Sequence, residues 1–555
     1  MATVERPGIG NHEVFNQPPP LEGYNVFAAD TALVEALRRE GGDWAEDAAR
    51  ELGALCGLPQ TIRWGVEANQ NPPRLRTHDR FGNRVDEVEF HPAWHELMRV
   101  GVGHGLHASP WRQPQPGAHV ARGALFMLLM QVEAGVGCPI SMTYSVIPAL
   151  RTQPELAAEW EPRFLSLAYD GERLVPAPDK QGALCGMGMT EKQGGSDVRA
   201  NTTTARPLNG GGPAGEYEIT GHKWFFSAPM CDAFLVLAQA EGGLSCFLLP
   251  RFTPHGERNA IHLQRLKDKL GNRSNASSEV EFRGAWAQLV GEEGRGVRTI
   301  IDMVNHTRLD CVLGVAAGMR WGTAAAIHHC SHRQVFGKLL AEQPLMRNVL
   351  ADLAIESEAA TVAAMRIARA FDEAHAGDEA AVEFRRLATP VLKYWTCKRA
   401  PVHAVEALEC LGGNGYVEES GMPRLYRESP LASIWEGSGN VAALDALRAM
   451  TRQPDTVEAF FTEVGLAHGA DARLDDAIAR VGKELSDTED IEYRARRVVE
   501  LMALVLQGAQ LVRHGHPAVA DAFCASRLGD DWGVALGTLP TGVDVAAVLE
   551  RVVPE

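Results

Sequence analysis

Two stretches of this chain bring together residue types that could do chemistry. The first is the loop Gly186–Val198, reading Gly-Met-Gly-Met-Thr-Glu-Lys-Gln-Gly-Gly-Ser-Asp-Val. Gly188, Gly194 and Gly195 let the main chain approach a bulky ligand or take positive φ. Thr190 and Ser196 add hydroxyls that donate or accept. Such a loop suits a ligand with polar ring edges and phosphates, although a tight turn between strands has the same composition. The second is Ile434–Asn440, where Glu436 stands between apolar Ile434 and Trp435 on one side and Gly437 on the other. These surroundings can be dry yet open to a substrate, and burial would raise the carboxyl's pKa toward general-base work. An opposing influence is expected from Asn440, read as the cap of a helix over Val441–Met450, because a helix N-terminus favours the charged form. A bare capping role for Glu436 is the competing reading.

Other clusters carry less. His328 and His332 share a helix face beside His329 and Cys330, but two ligands are too few for zinc. His91 and His95 have helical spacing, yet Glu96 does not complete an H-E-x-x-H motif. Gly437-Ser438-Gly439 is not a nucleophile elbow. No metal site is expected.

The elements that must position these residues follow from pattern. The chain has 555 residues, enough for about three or four domain-sized units. Its 45% hydrophobic and 23% charged residues are those of a soluble globular protein. A net charge of −17 argues against a surface devoted to nucleic acid. The first residues show no basic-to-apolar progression, so no secretory signal is expected. The most apolar run, Ala124–Met130, is too short to cross a bilayer and reads as a buried helix. Ten scattered cysteines without a C-x-x-C pair suggest reduced thiols and a cytoplasmic location.

Residues 1–30 read as an extended arm, with Phe15, Tyr24 and Phe27 as pins. A helical domain follows over 31–182, opened by Asp30 as N-cap. At 183–290 the composition turns to Thr, aromatic and β-branched residues. A hairpin is expected about Asn209–Pro213, with buried strands at 233–237 and 244–249 and a half-buried one at 279–282. Helices return at 297–332, 344–376 and 383–411 within a domain spanning 291–451. The remainder, 452–555, is again helical. Strands and helices do not alternate along the chain, so a doubly wound sheet is excluded and the class is α+β. No glycine-rich dinucleotide fingerprint follows a strand.

Helices, a β domain opened by the glycine-rich loop, and helices again resemble the acyl-CoA dehydrogenase flavoproteins. Five separated motifs carry the resemblance. Met189–Val198 is similar to the family's T-E-P-x-x-G-S-D loop, with Lys192 in place of proline. Gly221–Ser227 is similar to its G-x-K-x-W-I-T strand. His332–Lys338 is similar to its R-x-x-F-G-K helix. Leu411–Tyr416 is similar to L-G-G-x-G-Y, and Ile434–Asn440 to the Y-E-G-T segment that bears the catalytic base. Val14–Pro18, Lys192-Gln193, Leu270–Ala276 and the helical extension are similar to one branch of that family, linked to protection against DNA alkylation damage.

The resemblance implies a helical N-terminal domain, a middle β-barrel or sandwich, a C-terminal four-helix bundle and an extra helical domain. It implies bound FAD, a homotetramer built as a dimer of dimers, an acyl-CoA or similar substrate, affinity for double-stranded DNA, and no membrane partner. Glu436 would be the catalytic base. Met187, Gly188, Met189, Thr190, Gly195, Ser196, Phe225, Phe226 and Ser227 would contact the flavin, as would Ile434, Trp435, Gly437, Ser438, Gly439 and Asn440. Arg333, Phe336, Gly412 and Gly413 would reach a neighbouring subunit's FAD. Weak dehydrogenation alongside a DNA role is one implied function; the other is a fully active dehydrogenase of short branched, isovaleryl-like acyl-CoAs. For DNA the only local basic cluster is Arg494, Arg496 and Arg497, in a region (452–555) with ten basic and eighteen acidic residues.

Overall fold

The computed structural model describes residues 12–529 and 531–553, so the first eleven residues of the expected arm lie outside it. Asp30 caps the first helix, α1 (Thr31–Arg39), by accepting from the Leu33 N–H. The apolar run lies in α2 (Ala118–Val132), which is buried on every face, as a helix lacking a polar stripe must be. Beside it runs α3 (Gly137–Leu150). The helical reading of 31–182 misses one hairpin, β1 (Arg74–His78) with β2 (Arg84–Glu89), joined antiparallel. Charged residues crowd both strands and hide the period-two pattern.

The β domain holds β3 (Cys185–Gly188), β4 (Thr204–Pro207), β5 (Glu216–Ser227), β6 (Ala233–Ala240), β7 (Gly243–Pro250), β8 (Ile261–Leu266) and β9 (Ser277–Val290). The expected hairpin is β4 with β5, in the register Thr204 to Thr220. Pairings run from β5 to β9, β7, β6, β4 and back to β5, closing a barrel. β3 bridges β5 and β6, and β8 lies on β9. Closure leaves few free edges.

The C-terminal bundle is built on α4 (Gly296–His332), α5 (Pro344–His375) and α6 (Glu379–Glu409). The short α7 (Met422–Glu428) and α8 (Gly439–Arg452) follow. In the extension, α9 (Ile491–His514) packs against α5, α6 and α8. The extension is tied in by buried charges as well as apolar contacts. Arg527 is wholly buried, 2.5 Å from Asp352 and 3.0 Å from Glu356. All ten cysteines are buried and unpaired. Among the described residues no helix is long and apolar enough to cross a membrane.

Residues 12–30 run along α4 and the turn after it. The pin is Asn16, not Phe15, which is exposed. Asn16 accepts from the Gln334 N–H, donates to the Gln334 carbonyl, and its own carbonyl receives Arg333 Nη1. Phe27 does enter the core.

Candidate active site

A cavity of about 590 Å³ lies where α3, α4, α6 and α7 meet the β domain. On the β side it is lined by Met187, Met189, Thr190, Gly195, Ser196, Phe225 and Ser227; on the helical side by Ile434, Trp435, Glu436, Gly437 and Ser438. The two stretches singled out by their chemistry therefore face one space.

The glycine-rich loop is fixed from below. Glu191 is buried against Lys223, 2.8 Å away, and accepts from the Thr202 and Thr203 N–H groups. Burial alone would push this carboxyl up, but the Lys223 ammonium and the hydrogen bonds bring it down to about 2. The Trp224 N–H donates to the Thr190 carbonyl at 2.8 Å. Glu191 and Lys223, both inside recognised motifs, thus hold the loop rather than contact a ligand. A Cβ at Gly195 would lie 2.4 Å from Thr190 Oγ1, so only glycine lets the loop fold back over that hydroxyl.

Phe226 does not face the cavity. It is fully buried in the barrel, 4.3 Å from Phe234 and 5.8 Å from Phe282 between ring centroids. Side chains alternate along a strand, so Phe225 and Phe226 cannot share a face. A bulge between Lys223 and Phe226 turns Phe225 outward, 49% exposed. Gly188 also belongs to packing, since a Cβ there would lie 2.5 Å from the Phe226 ring.

Glu436 sits in the left-handed region at φ 56°, which is unfavourable for a residue with a side chain. Several groups hold it there. Lys393 Nζ donates to the Trp435 carbonyl at 2.9 Å and to the Gly437 carbonyl. Arg308 Nε donates to the Glu436 carbonyl at 3.0 Å while its other arm pairs with Asp445, 2.6 Å away. Asp445 is held in turn by Arg386. The Thr307 hydroxyl donates to Glu436 Oε2 at 2.6 Å. Burial pushes the Glu436 carboxyl above its ordinary value, outweighing the Thr307 hydrogen bond and the charges of Lys393 and Arg308. Thr307, Arg308 and Lys393 carried no motif signal. Only their helical spacing on α4 and α6, once the helices are placed, could have pointed to them.

Asn440 is not the cap. Its helix begins two residues earlier, at Gly439 after Ser438. The small Gly-Ser-Gly run lets the turn form sooner, and Asn440 is left exposed, accepting from Arg496 Nε. Gly439 is buried behind the cavity wall.

Arg333, Phe336, Gly412 and Gly413 lie outside this cavity. The motif expected to be a helix ends α4 instead. Arg333 is the residue after its last turn, and Gln334–Val335 pairs with Lys338–Leu339 as a small hairpin. Phe336 and Gly337 both take positive φ there, which no helix accommodates. Phe336 is 99% exposed, and a Cβ at Gly412 or Gly413 would meet nothing within 4 Å. Phe336, Gly412 and Gly413 are thus exposed, whereas half-buried Arg333 is held by the Asn16 carbonyl of its own chain.

The basic cluster is largely consumed within the protein. Arg494 pairs with Glu484 at 2.6 Å, Arg496 bonds Asn440, and Arg497 lies 3.5 Å from Glu484. Among the described residues no cluster of His, Cys, Asp and Glu could hold a metal.

The donor set fits a flavin. Trp435 Nε1 is buried without a partner beside Glu436, and a buried donor left unpaired marks a place for a ligand acceptor. The β side offers hydroxyls, an out-turned ring and a loop closed by glycine.

Fold, motifs and cavity define the class, and comparison with known proteins agrees. The acyl-CoA dehydrogenase middle-domain model matches residues 186–285 and its C-terminal-domain model residues 294–451. The chain belongs to the acyl-CoA dehydrogenase family, whose members are FAD-dependent oxidoreductases. Residues 16–171 match the model described as the adaptive response protein AidB N-terminal domain. The chain is 47% identical over 530 residues to AidB of Escherichia coli (strain K12), covering 95% of this chain and 96% of that one. It is 31% identical to acyl-CoA dehydrogenase family member 11 of Caenorhabditis elegans, over 81% of this chain and 77% of the relative. A solved structure of Caenorhabditis elegans ACDH-11 in complex with C11-CoA superposes with a TM-score of 0.84 at 26% identity, covering 99% of this chain and 95% of that one.

Proposed function

We propose that this protein oxidises an acyl-CoA thioester between its α and β carbons. The observation that carries the reading is Glu436, a half-buried carboxyl of raised pKa that faces the same cavity as the β-domain flavin motifs. FAD, when bound, supplies the acceptor for the β-hydride. Ionised Glu436 would take the α proton as the carbon–carbon double bond forms, leaving its own carboxyl protonated. Thr307 aims the carboxylate, and the clamps from Lys393 and Arg308 keep its strained backbone in place. Thr190, Ser196, Phe225, Ser227 and Trp435 are the residues that would hold the isoalloxazine and the FAD pyrophosphate.

Anaerobic mixing of the flavin-loaded protein with a panel of straight and branched acyl-CoAs is expected to bleach the flavin. Glu436→Gln is expected to slow bleaching by about 10³-fold, the order of a general base. Bleaching by no thioester, or equally well in Glu436→Gln, sinks the reading.

The exposed Phe336, Gly412 and Gly413, beside half-buried Arg333, support an assembly in which each chain completes a neighbour's cofactor site, as a homotetramer would. Light scattering that gives a monomer with full flavin content contradicts it. The match to an adaptive-response protein supports a second role, protection against alkylation damage at duplex DNA. Failure to retain duplex DNA even at low salt removes that role.

A further inference from the structure

The cavity extends well past Glu436. Along α4, Thr307, Cys311, Gly314 and Gly318 fall at helical spacing on one face, and all four line it. Thr307 marks the reacting end, because its hydroxyl holds the Glu436 carboxylate. Gly318 stands eleven residues on, about 16 Å along the helix axis.

The glycines of this face report where the space ends. A Cβ at Gly314 would meet only Phe126 Cε1, at 3.9 Å, and one at Gly318 only Leu425 Cδ1, at 3.4 Å. One turn further, at Gly322, a Cβ would lie 3.0 Å from Leu425 Cδ2, 3.4 Å from the Ala407 Cβ and 3.7 Å from His403 Cε1. The channel is open at 314 and 318 and filled at 322. Opposite, Ala400 and Ala404 of α6 are again small, and Phe126, Met130 and Met319 complete an apolar wall. His403 closes the end with its polarity already spent, since Nε2 lies 3.2 Å from the Leu353 carbonyl and 3.3 Å from Thr323 Oγ1. Nothing there asks for a polar group.

We propose that this blind apolar channel receives the acyl chain and that Gly314 and Gly318 set its length, so that the preferred substrate is a straight acyl group of medium or greater length. A short branched acyl group would end near Cys311 and leave the channel empty, forfeiting the contacts its walls offer. The inference rests on the reading of the cavity as an acyl-CoA site and names its substrate class.

The test uses flavin-loaded Glu436→Gln protein, so that thioesters bind without turning over. Affinities for butanoyl-, isovaleryl-, octanoyl- and dodecanoyl-CoA are measured by thermal shift. Dodecanoyl-CoA is expected to bind at least about tenfold more tightly than butanoyl- or isovaleryl-CoA, the gain of two or more buried methylenes. Adding Gly318→Leu is expected to cut the dodecanoyl-to-butanoyl affinity ratio about tenfold, and Gly314→Val to cut it further. Both changes replace a mid-helix glycine and favour the helix; flavin content confirms the fold. Equal or better binding of isovaleryl-CoA, or a ratio that neither substitution moves, overturns the channel while leaving the acyl-CoA reading intact. Binding of no thioester at all overturns both.

Discussion

The cavity and the C-terminal extension use charge in opposite ways. Around the cavity, polar groups are held in place but left facing open space. Glu436 has one hydroxyl donor and an open side, and Trp435 Nε1 has no partner. In the extension the charges are spent on each other and on the bundle. Arg527 meets Asp352 and Glu356, Arg366 and Arg513 share Glu463, and Arg494 meets Glu484. A side chain that a fold positions at the cost of backbone strain and leaves unpaired points to chemistry; one fully paired points to architecture. On this contrast the extension is a buttress of the bundle. Arg496, whose Nε holds Asn440 four residues after Glu436, even braces the Glu436 turn from outside.

The contrast breaks most sharply at Arg527. Replacing it with alanine leaves buried Asp352 without its guanidinium partner, while Glu356 keeps Arg399, and losing one partner of a buried pair costs about 3–5 kcal/mol. Denaturant unfolding of Arg527→Ala should show that loss, together with a bundle that unfolds with the extension. A loss confined to the extension, with the bundle untouched, contradicts the buttress.

On the cavity side the comparable residue is Thr307. Its hydrogen bond favours the ionised Glu436, so Thr307→Val should raise that pKa further. A hydrogen bond to a charged group contributes about 1.5–3 kcal/mol, and about 1.4 kcal/mol is one pH unit. Since the base must be ionised, the acid limb of flavin reduction is expected to move to higher pH by about one unit. Stopped-flow rates across pH check this. A rate that falls equally at every pH would make Thr307 a packing residue only.

How far the sequence reached follows the same division. The open, glycine-punctuated motifs were legible because their chemistry needs particular residue types at fixed spacing: Thr190, Gly195, Ser196 and Glu436 all face the cavity. The β domain was legible from its Thr, aromatic and β-branched strands, while its closure into a barrel was not. What escaped depended on geometry that no single stretch encodes. Which of Phe225 and Phe226 enters the barrel and which turns to the cavity appears only when β5, with its bulge, is laid against β9. The clamps from Arg308 and Lys393 come from helices far away in the chain. That Arg494 and Arg497 of the basic cluster are paired was not legible, because their partner Glu484 belongs to a different helix.

A subtler probe is Glu428, a second carboxyl on the cavity wall. Burial, reinforced by nearby Glu133, raises it to about 7, against two hydrogen bonds from Asn272. A carboxyl raised on folding stabilises the protein below its ordinary value, and that contribution is lost as pH climbs through the folded one. Melting temperature is therefore expected to decline between about 4.5 and about 7 from this group. Glu428→Gln, which keeps an acceptor for Asn272, should flatten that decline. An unchanged slope would assign the pH dependence elsewhere.

The smallest effect is expected where the sequence placed DNA. Arg494 and Arg496 are already bonded, and only Arg497, with 79% of its side chain exposed, has reach to spare. Each phosphate contact contributes about one unit to the slope of log affinity against log salt. Arg497→Ala should therefore lower the slope for duplex DNA by no more than about one unit. Arg494→Ala should leave the slope unchanged and instead lower the melting temperature, through loss of its bond to Glu484. A drop of several units in either variant would show that the intramolecular pairs open on contact with DNA. The extension would then share the property argued for the cavity, of charges held ready for a ligand.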